Sequence, residues 1–346
     1  MTKYDTIVYM GRFQPIHNVH AEIIERACSL AGELIIIVGS ADQPRTFKNP
    51  WTSAERVLMI QNVLNEIDTK QCRVAIRTNI DTKYNDTAWV ERTQKIVAEA
   101  RTLNGSIAVI GHKKDDATTE YMDMFPQWQL EDVGFLKEMH ATDIREEYFS
   151  PIAGRISYSM LPPSTARWLM GWMGTPAYKQ IVDEHKHILD YKKQFAVLPY
   201  PVIFVTVDAA VIQSGHILMI RRRAVPGKGL WALPGGFLNA YTDKSMESAM
   251  IRELREETGL KIPAPVLRGS IQGSRVFDGV DRSERGRVIT HAFAISLPDG
   301  PLPKVKGMDD ADKARWVPLS EVKSSECFDD HYEIIQWAKN TSRKDV

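Results

Sequence analysis

From the N-terminus to about residue 150, short unbroken apolar runs alternate with stretches of helical period. Residues 7–10, 34–38 and 107–110 are continuous β-prone runs, and residues 21–31, 53–67 and 88–103 read as helices. A strand that is apolar at every position has no face for water, so these runs imply a parallel sheet covered on both sides. Residues 160–195 read as helical with a break at Gly174-Thr175-Pro176, and Leu198-Pro199-Tyr200-Pro201 reads as an extended connection. Beyond Pro201 the order changes. Residues 202–212 and 216–220 form two strands around a turn at Ser214-Gly215, followed by a Gly-rich loop, one charged helix and further strands. The expected architecture is an α/β domain with a parallel sheet over residues 1–190, a linker over 191–201 and a domain of mixed α+β order over 202–346.

Composition agrees with two soluble domains. The chain has 346 residues, 43% hydrophobic and 25% charged, and either half is long enough to bury a core. Equal numbers of basic and acidic residues give a net charge of zero, which argues against a protein built to grip nucleic acid. Cys28, Cys72 and Cys327 are far apart and form no C-x-x-C pair. They read as reduced thiols of a cytoplasmic protein rather than a zinc site or a disulfide framework. No apolar stretch reaches the ~18 residues of a membrane span, and the N-terminus lacks the pattern of a signal peptide. The oligomeric state, homo-oligomer or monomer, is left open.

The first candidate site follows the first strand, in GRFQPIHNVH (11–20). His17 and His20 are three apart where a helix begins, so both rings can share one face, and backbone N–H groups at a helix start attract phosphate. Two imidazoles there can hold a triphosphate and stabilise charge at its α-phosphate. Gly11, Arg12, Phe13 and Gln14 complete the segment. It resembles the phosphate-binding motif of the nucleotidylyltransferase superfamily, in the GRFQP form of the archaeal-type NMN adenylyltransferases, with Val19 where the family usually has Gly. Two further blocks extend the resemblance. GSADQPRTFKNPWTSAER (39–56) places Asn49, Trp51 and Arg56 at the nicotinamide nucleotide, with Asp81 and Trp89 as further contacts. HATDIREEY (140–148) supplies Thr142 and Arg145 to phosphate, with His140 where the motif has Ser. Gly111 and His112, after the third apolar run, border the ATP pocket. The resemblance implies a Rossmann-like domain that transfers AMP from ATP to NMN by direct in-line attack, with Mg²⁺ on the phosphates and His17, His20 and Arg145 stabilising charge.

The second candidate site is RELREETGL (252–260). Glu253, Glu256 and Glu257 fall at i, i+3 and i+4, on one face of a helix. Like charges so placed repel, and a divalent cation resolves the conflict. Arg252 stands four before Glu256, and Gly259 is a helix stop. Together with Gly235 and Gly236 the segment resembles the Nudix box. Counted back from Arg252, the box's first Glu falls on Lys244, and the loop is two residues longer than the pattern. The flanking segments KGLWALPGGFL and SRVFDGVDRSERGRVITHAF resemble the ADP-ribose pyrophosphatase domain found fused to this type of adenylyltransferase. That resemblance implies a mixed-sheet Nudix fold with a catalytic helix. Its metal would be Mg²⁺, with Mn²⁺ as the alternative, on Glu253, Glu256 and Glu257. Arg275, Arg282 and Arg287 would sit at the substrate, and Glu284 would be a loop-borne general base. Asp309, Asp310 and Asp312 read as a solvated acidic turn, with added metal or loop contacts as the alternative.

The implied protein is a bifunctional enzyme of NAD metabolism acting on ATP, NMN and ADP-ribose, with no nucleic-acid or membrane partner. One alternative keeps the chemistry and changes the substrates, to nicotinate mononucleotide in the first domain or NADH and other nucleoside diphosphate derivatives in the second. The other, a non-catalytic ADP-ribose sensor, predicts lost carboxylates and a basic helix-turn-helix, whereas all three Glu are present.

Overall fold

The computed structural model describes residues 2–69, 72–111, 122–134, 139–150 and 158–342. Its contacts divide the chain into two compact units, Met1–Asp183 and Glu184–Val346.

The first unit contains β1 (Tyr4–Gly11), α1 (Asn18–Leu30), β2 (Ala31–Ala41), α2 (Ser53–Leu64), β3 (Arg73–Ile80), α3 (Asp86–Ala100), β4 (Ile107–Gly111), β5 (Gln129–Asp132), α4 (Ala141–Tyr148) and α5 (Pro163–Trp172). The strands form one parallel sheet in the order β3-β2-β1-β4-β5. Successive side chains of the central strands feed two separate cores. Ile7, Tyr9, Leu34, Ile36 and Val38 enter one, and Val8, Met10, Ile35 and Ile37 enter the other. Burial on both faces is why these strands are apolar throughout. The flanking strands are different. β3 exposes Arg73, Arg77 and Thr78, and three of the four residues of β5 are exposed, so neither shows an apolar run.

The strand order reverses beside β1: the chain passes from β1 outward to β2 and β3, then returns to the other side as β4. In open parallel sheets the crevice at the carboxyl ends of the two strands at such a switch is the place where ligands bind. Here it lies between Gly11 at the end of β1 and Gly111 at the end of β4.

A helix, α6 (Pro176–Lys193), runs across the division between the units and beyond residue 190. The second unit continues with β6 (Ile203–Gln213), β7 (His216–Arg222), β8 (Trp231–Ala232), β9 (Gly235–Phe237), α7 (Met246–Thr258), α8 (Ala264–Gly269), β10 (Ile271–Phe277), β11 (Arg287–Ser296), β12 (Ala311–Pro318) and α9 (His331–Thr341). Its sheet runs β10-β11-β6-β7-β12, with β8 paired to β7 and β9 to β6. β11 and β6 are parallel and the other pairs antiparallel, so the sheet is mixed. Ser214 and Gly215 turn the β6–β7 hairpin with φ of 45° and 73°, the conformation of tight hairpin turns. Val207, Ala209, Val211 and Leu218 form a core with Met250 and Leu254 of α7.

Candidate active sites

At the first site the three motif blocks are knitted together around Gln14. Its side chain donates to the Trp51 carbonyl (3.0 Å) and accepts from the Trp51 N–H (3.2 Å). Its own carbonyl accepts from Nη1 of Arg145 at 2.7 Å. Arg145 is buried, and its Nη2 lies 3.1 Å from the Thr142 hydroxyl. Arg56 is also buried. It donates to the carbonyls of Arg12 and Gly39 at 2.6 Å each and of Ser40 at 2.9 Å. Burial pushes its guanidinium down to about 10. Asp81 accepts from the Ser40 N–H at 3.1 Å. Arg56 and Asp81 thus fix the carboxyl ends of β1 and β2 through backbone groups. Thr52 caps α2 reciprocally with Glu55, which sets where Arg56 emerges.

His17 is the N-cap of α1, and its ring stacks on His20 with centroids 3.7 Å apart. The His17 N–H donates to Nδ1 of His20 at 3.2 Å, so in neutral His20 the proton sits on Nε2. The first turn of α1 carries no carboxylate, leaving its dipole open to an anion. Phe13 has φ of 51° and packs its ring beneath Gly11, where a Cβ would stand 3.1 Å from the ring. Val19 is buried in the core, so the residue in the family's Gly position points away from solvent. Trp51 is 1% exposed, within a cluster with Tyr148, Phe149, Trp168 and Trp172. Among the described residues neither its Nε1 nor the buried Oδ1 of Asn49 has a hydrogen-bond partner. Trp89 is half-buried against Phe125. Arg12 is exposed, and His140 is the N-cap residue of α4. His112 lies outside the described residues.

At the second site α7 is capped by Ser245 and ended by Gly259 at φ 61°. Its buried face, with Ala249, Met250 and Leu254, delivers Glu257 beneath β9. There Glu257 accepts from the Gly235 N–H at 2.9 Å. Burial pushes its carboxyl up to about 8, with Glu253 and Asp208 adding repulsion. Close approach to backbone requires Gly235, while Gly236 faces the end of the Glu253 side chain. A Cβ on Gly235 would lie 2.2 Å from the Val207 carbonyl, and one on Gly236 2.6 Å from the Glu253 carboxylate. Glu253 and Glu256 each accept from Nη1 of Arg252 at 2.8 Å. Among the described residues, no three His, Cys, Asp or Glu side chains converge as a metal-ligand group. The three carboxylates share the helix face while engaging Arg252 and Gly235.

The structure supplies a carboxylate near the box's first Glu position. Lys244 is exposed, but its neighbour Asp243 grips Arg252 with both oxygens, at 3.0 Å to Nε and 2.8 Å to Nη2. Those bonds hold the Asp243 carboxyl below its usual range. The longer loop shifts the acidic residue one place, which a fixed count back from Arg252 misses.

A cavity of about 150 Å³ opens beside Glu257, Gly235 and Gly236. Two guanidinium groups at its wall approach one aromatic ring. Arg222 stands 3.9 Å from the centroid of Phe328 and Arg285 stands 5.7 Å from it. Both line the cavity, as do Asp208, Asp310, Asp329 and His331. Neither arginine makes a salt bridge among the described residues. Burial, then the charge of Arg285, lowers Arg222. Of the arginines singled out from sequence, Arg282 lines the cavity but is neutralised by a bidentate pair with buried Asp330 at 2.7 and 2.9 Å. Arg275 is exposed on β10 over Phe277, and Arg287 starts β11; neither lines the cavity, and nor does Glu284. The signal for Arg222 was its place in Arg221-Arg222-Arg223 at a strand end. Phe328 and His331 come from a distant segment with no local motif.

These features define a nucleotidyltransferase unit joined to a Nudix hydrolase unit. Comparison with known proteins agrees: residues 8–147 match the cytidylyltransferase-like family model and residues 203–338 match the NUDIX domain model. The chain is 35% identical over 187 residues to the nicotinamide/nicotinic acid mononucleotide adenylyltransferase of Acinetobacter baylyi, covering 54% of this chain and 96% of that one. It is 34% identical over 144 residues to the ADP-ribose pyrophosphatase of Methanocaldococcus jannaschii, covering 42% of this chain and 76% of that one. A Francisella tularensis bifunctional NMN adenylyltransferase/ADP ribose pyrophosphatase, solved with AMP and a manganese ion, superposes with a TM-score of 0.90 at 34% identity, over 97% of this chain and 99% of that one. The chain belongs to the family of bifunctional NMN adenylyltransferase/ADP-ribose pyrophosphatases.

Proposed function

We propose that the first unit joins NMN to ATP, giving NAD and pyrophosphate, and that the second hydrolyses ADP-ribose to AMP and ribose 5-phosphate. For the first reaction, the carrying observation is the convergence of His17, His20, Gln14 and Arg145 around the β1 carboxyl end at the switch point. An oxygen of the NMN phosphate attacks the α-phosphorus of ATP, which arrives with Mg²⁺, and the bond to the β-phosphate oxygen breaks. Neither step needs a nucleophile from the protein. The imidazoles and Arg145 hold the phosphates and spread the charge of the departing pyrophosphate. The unpartnered Trp51 N–H donor and Asn49 oxygen acceptor complement the C=O and NH₂ of a carboxamide. That supports NMN over nicotinate mononucleotide, whose carboxylate has no N–H.

For the second reaction, the carrying observation is a cavity that places two guanidinium groups without carboxylate partners beside a buried Glu of α7. Such a wall suits a diphosphate. The donor chemistry of Glu253, Glu256 and Glu257 suits a divalent cation, Mg²⁺ or Mn²⁺, which would offset the cost of holding Glu257 charged while buried. When bound, the cation polarises the diphosphate and activates water. Arg222 and Arg285 hold the phosphates, Arg252 and Asp243 orient the helix carboxylates, and water adds to phosphorus as the bridging P–O bond breaks.

Among the described residues no helix is long and apolar enough to cross a membrane. The three cysteines carry free thiols, which supports a reducing, cytoplasmic setting. The test is a substrate panel on the full chain with Mg²⁺ and then Mn²⁺: NMN or nicotinate mononucleotide with ATP, then ADP-ribose, NADH and other nucleoside diphosphate derivatives. NAD from NMN, and AMP from ADP-ribose, are the expected preferred products. Failure to form NAD overturns the first assignment, and preferential cleavage of another diphosphate overturns the second.

A further inference from the structure

Glu184 is a buried carboxylate outside both sites. It is the first residue of the second unit, part of α6, and 5% exposed. Its Oε1 accepts from the N–H of Gly227 at 2.7 Å. Gly227 belongs to the loop that leaves β7 after Arg222. That loop is closed on itself: the Gly229 N–H donates to the Arg222 carbonyl at 2.9 Å and the Leu230 N–H to the Gly227 carbonyl at 3.0 Å.

The Gly227 N–H is one half of a peptide group whose other half is the Pro226 carbonyl. That carbonyl accepts from Nε of Arg222 at 2.9 Å. A single planar peptide therefore has the Glu184 carboxylate at its donor end and the Arg222 guanidinium at its acceptor end. A carboxylate at the N–H and a cation at the C=O polarise the peptide in the same sense, so each hydrogen bond strengthens the other. Rotating this peptide would break both bonds together. Gly227 has φ of 74°, and a Cβ there would lie 2.3 Å from the Phe328 ring, so the loop is pressed against the ring that Arg222 covers. Burial pushes the Glu184 carboxyl up to about 7, while the Gly227 N–H pulls it down. Charged or protonated, its Oε1 can accept that N–H.

We propose that Glu184 is a positioning residue of the hydrolase: through the Pro226–Gly227 peptide it fixes the guanidinium of Arg222 at the wall of the diphosphate cavity. The inference rests on the hydrolase reading above for its substrate and on the hydrogen-bond geometry for the clamp. It also sets where the hydrolase begins in the chain, since a helix preceding the first strand of its sheet supplies part of its working structure.

The test uses the full chain and three variants: Glu184→Ala, Glu184→Gln and Glu184→Asp. Gln keeps an oxygen acceptor at the same reach; Asp keeps the charge but is one methylene short. Amide hydrogen exchange at Gly227 reads the clamp whatever the substrate. Protection should fall at least ~10-fold in Glu184→Ala, fall partly in Glu184→Asp and stay near wild type in Glu184→Gln. KM for ADP-ribose should rise about tenfold in Glu184→Ala with kcat changed less than about threefold, and should return to within about threefold of wild type in Glu184→Gln. NAD formation should be unaffected in all three. A wild type inactive on ADP-ribose would refute the substrate reading, and KM would then be followed on whichever diphosphate it cleaves. Unchanged Gly227 protection in Glu184→Ala, or lost protection with unchanged KM, overturns the positioning role. So does a Glu184→Gln variant as impaired as Glu184→Ala.

Discussion

The two units handle phosphate with opposite means. The first presents a helix start, two stacked imidazoles and the buried Arg145, with no carboxylate in the first turn of α1. The second presents a helix bearing Glu253, Glu256 and Glu257 beside a cavity walled by Arg222 and Arg285. The difference follows from the nucleophile. In adenylyl transfer the attacking oxygen already carries negative charge, so the protein has only to align it and absorb charge on the leaving group. In hydrolysis the attacking water is neutral and must be activated, which calls for carboxylates able to hold a cation. Stabilising charge alone suffices in one unit, while the other must also concentrate negative charge and then control it.

That control is where the comparison can be broken. The largest effect is expected from Glu257→Gln, which should lower ADP-ribose hydrolysis on the order of 1000-fold while NAD formation stays within about twofold. Equal loss of both activities would mean that the variant fails as a folded chain and that the units are not independent. Next, Arg222→Gln should raise KM for ADP-ribose about tenfold or more, the cost of one charge-assisted contact. An unchanged KM would remove the arginine wall from the substrate site. Asp243→Asn should lower hydrolysis about tenfold by releasing Arg252 from its orienting partner. It also has a pH signature. Arg252 depresses the Asp243 carboxyl in the folded chain below its ordinary value of 3.8. The stability it contributes is therefore present above that value and drains away as pH falls through the lower folded one. Melting curves of wild type and Asp243→Asn should differ at neutral pH and converge in acid. The smallest effect is expected from Lys244→Glu. Lys244 is exposed and Asp243 already holds Arg252, so hydrolysis should stay within about twofold. A marked gain would return the acidic role to position 244.

Much of this was legible in the chain because the physics was local. The central strands announce themselves since both faces of β1, β2 and β4 are buried. β3 and β5 do not, because edge strands carry solvent-facing polar residues such as Arg73, Arg77 and Gln129. His17, His20 and the α7 glutamates follow from spacing on a helix. The use made of an arginine was far less readable. Arg56, expected near the nucleotide, spends its guanidinium on three backbone carbonyls, and Arg282 is held by Asp330. Among the described residues Arg222 and Arg285 line the cavity with no carboxylate paired to them, and neither was singled out from the chain. Whether a guanidinium is neutralised depends on residues such as Asp330 that only the fold brings near.

The most direct test of two separate phosphate chemistries in one chain is His17→Ala, assayed for both reactions in a single preparation. NAD formation from NMN and ATP should fall about 100- to 1000-fold, while release of AMP from ADP-ribose stays within about twofold of wild type. Retained NAD formation, or a matching loss of ADP-ribose hydrolysis, would contradict that separation.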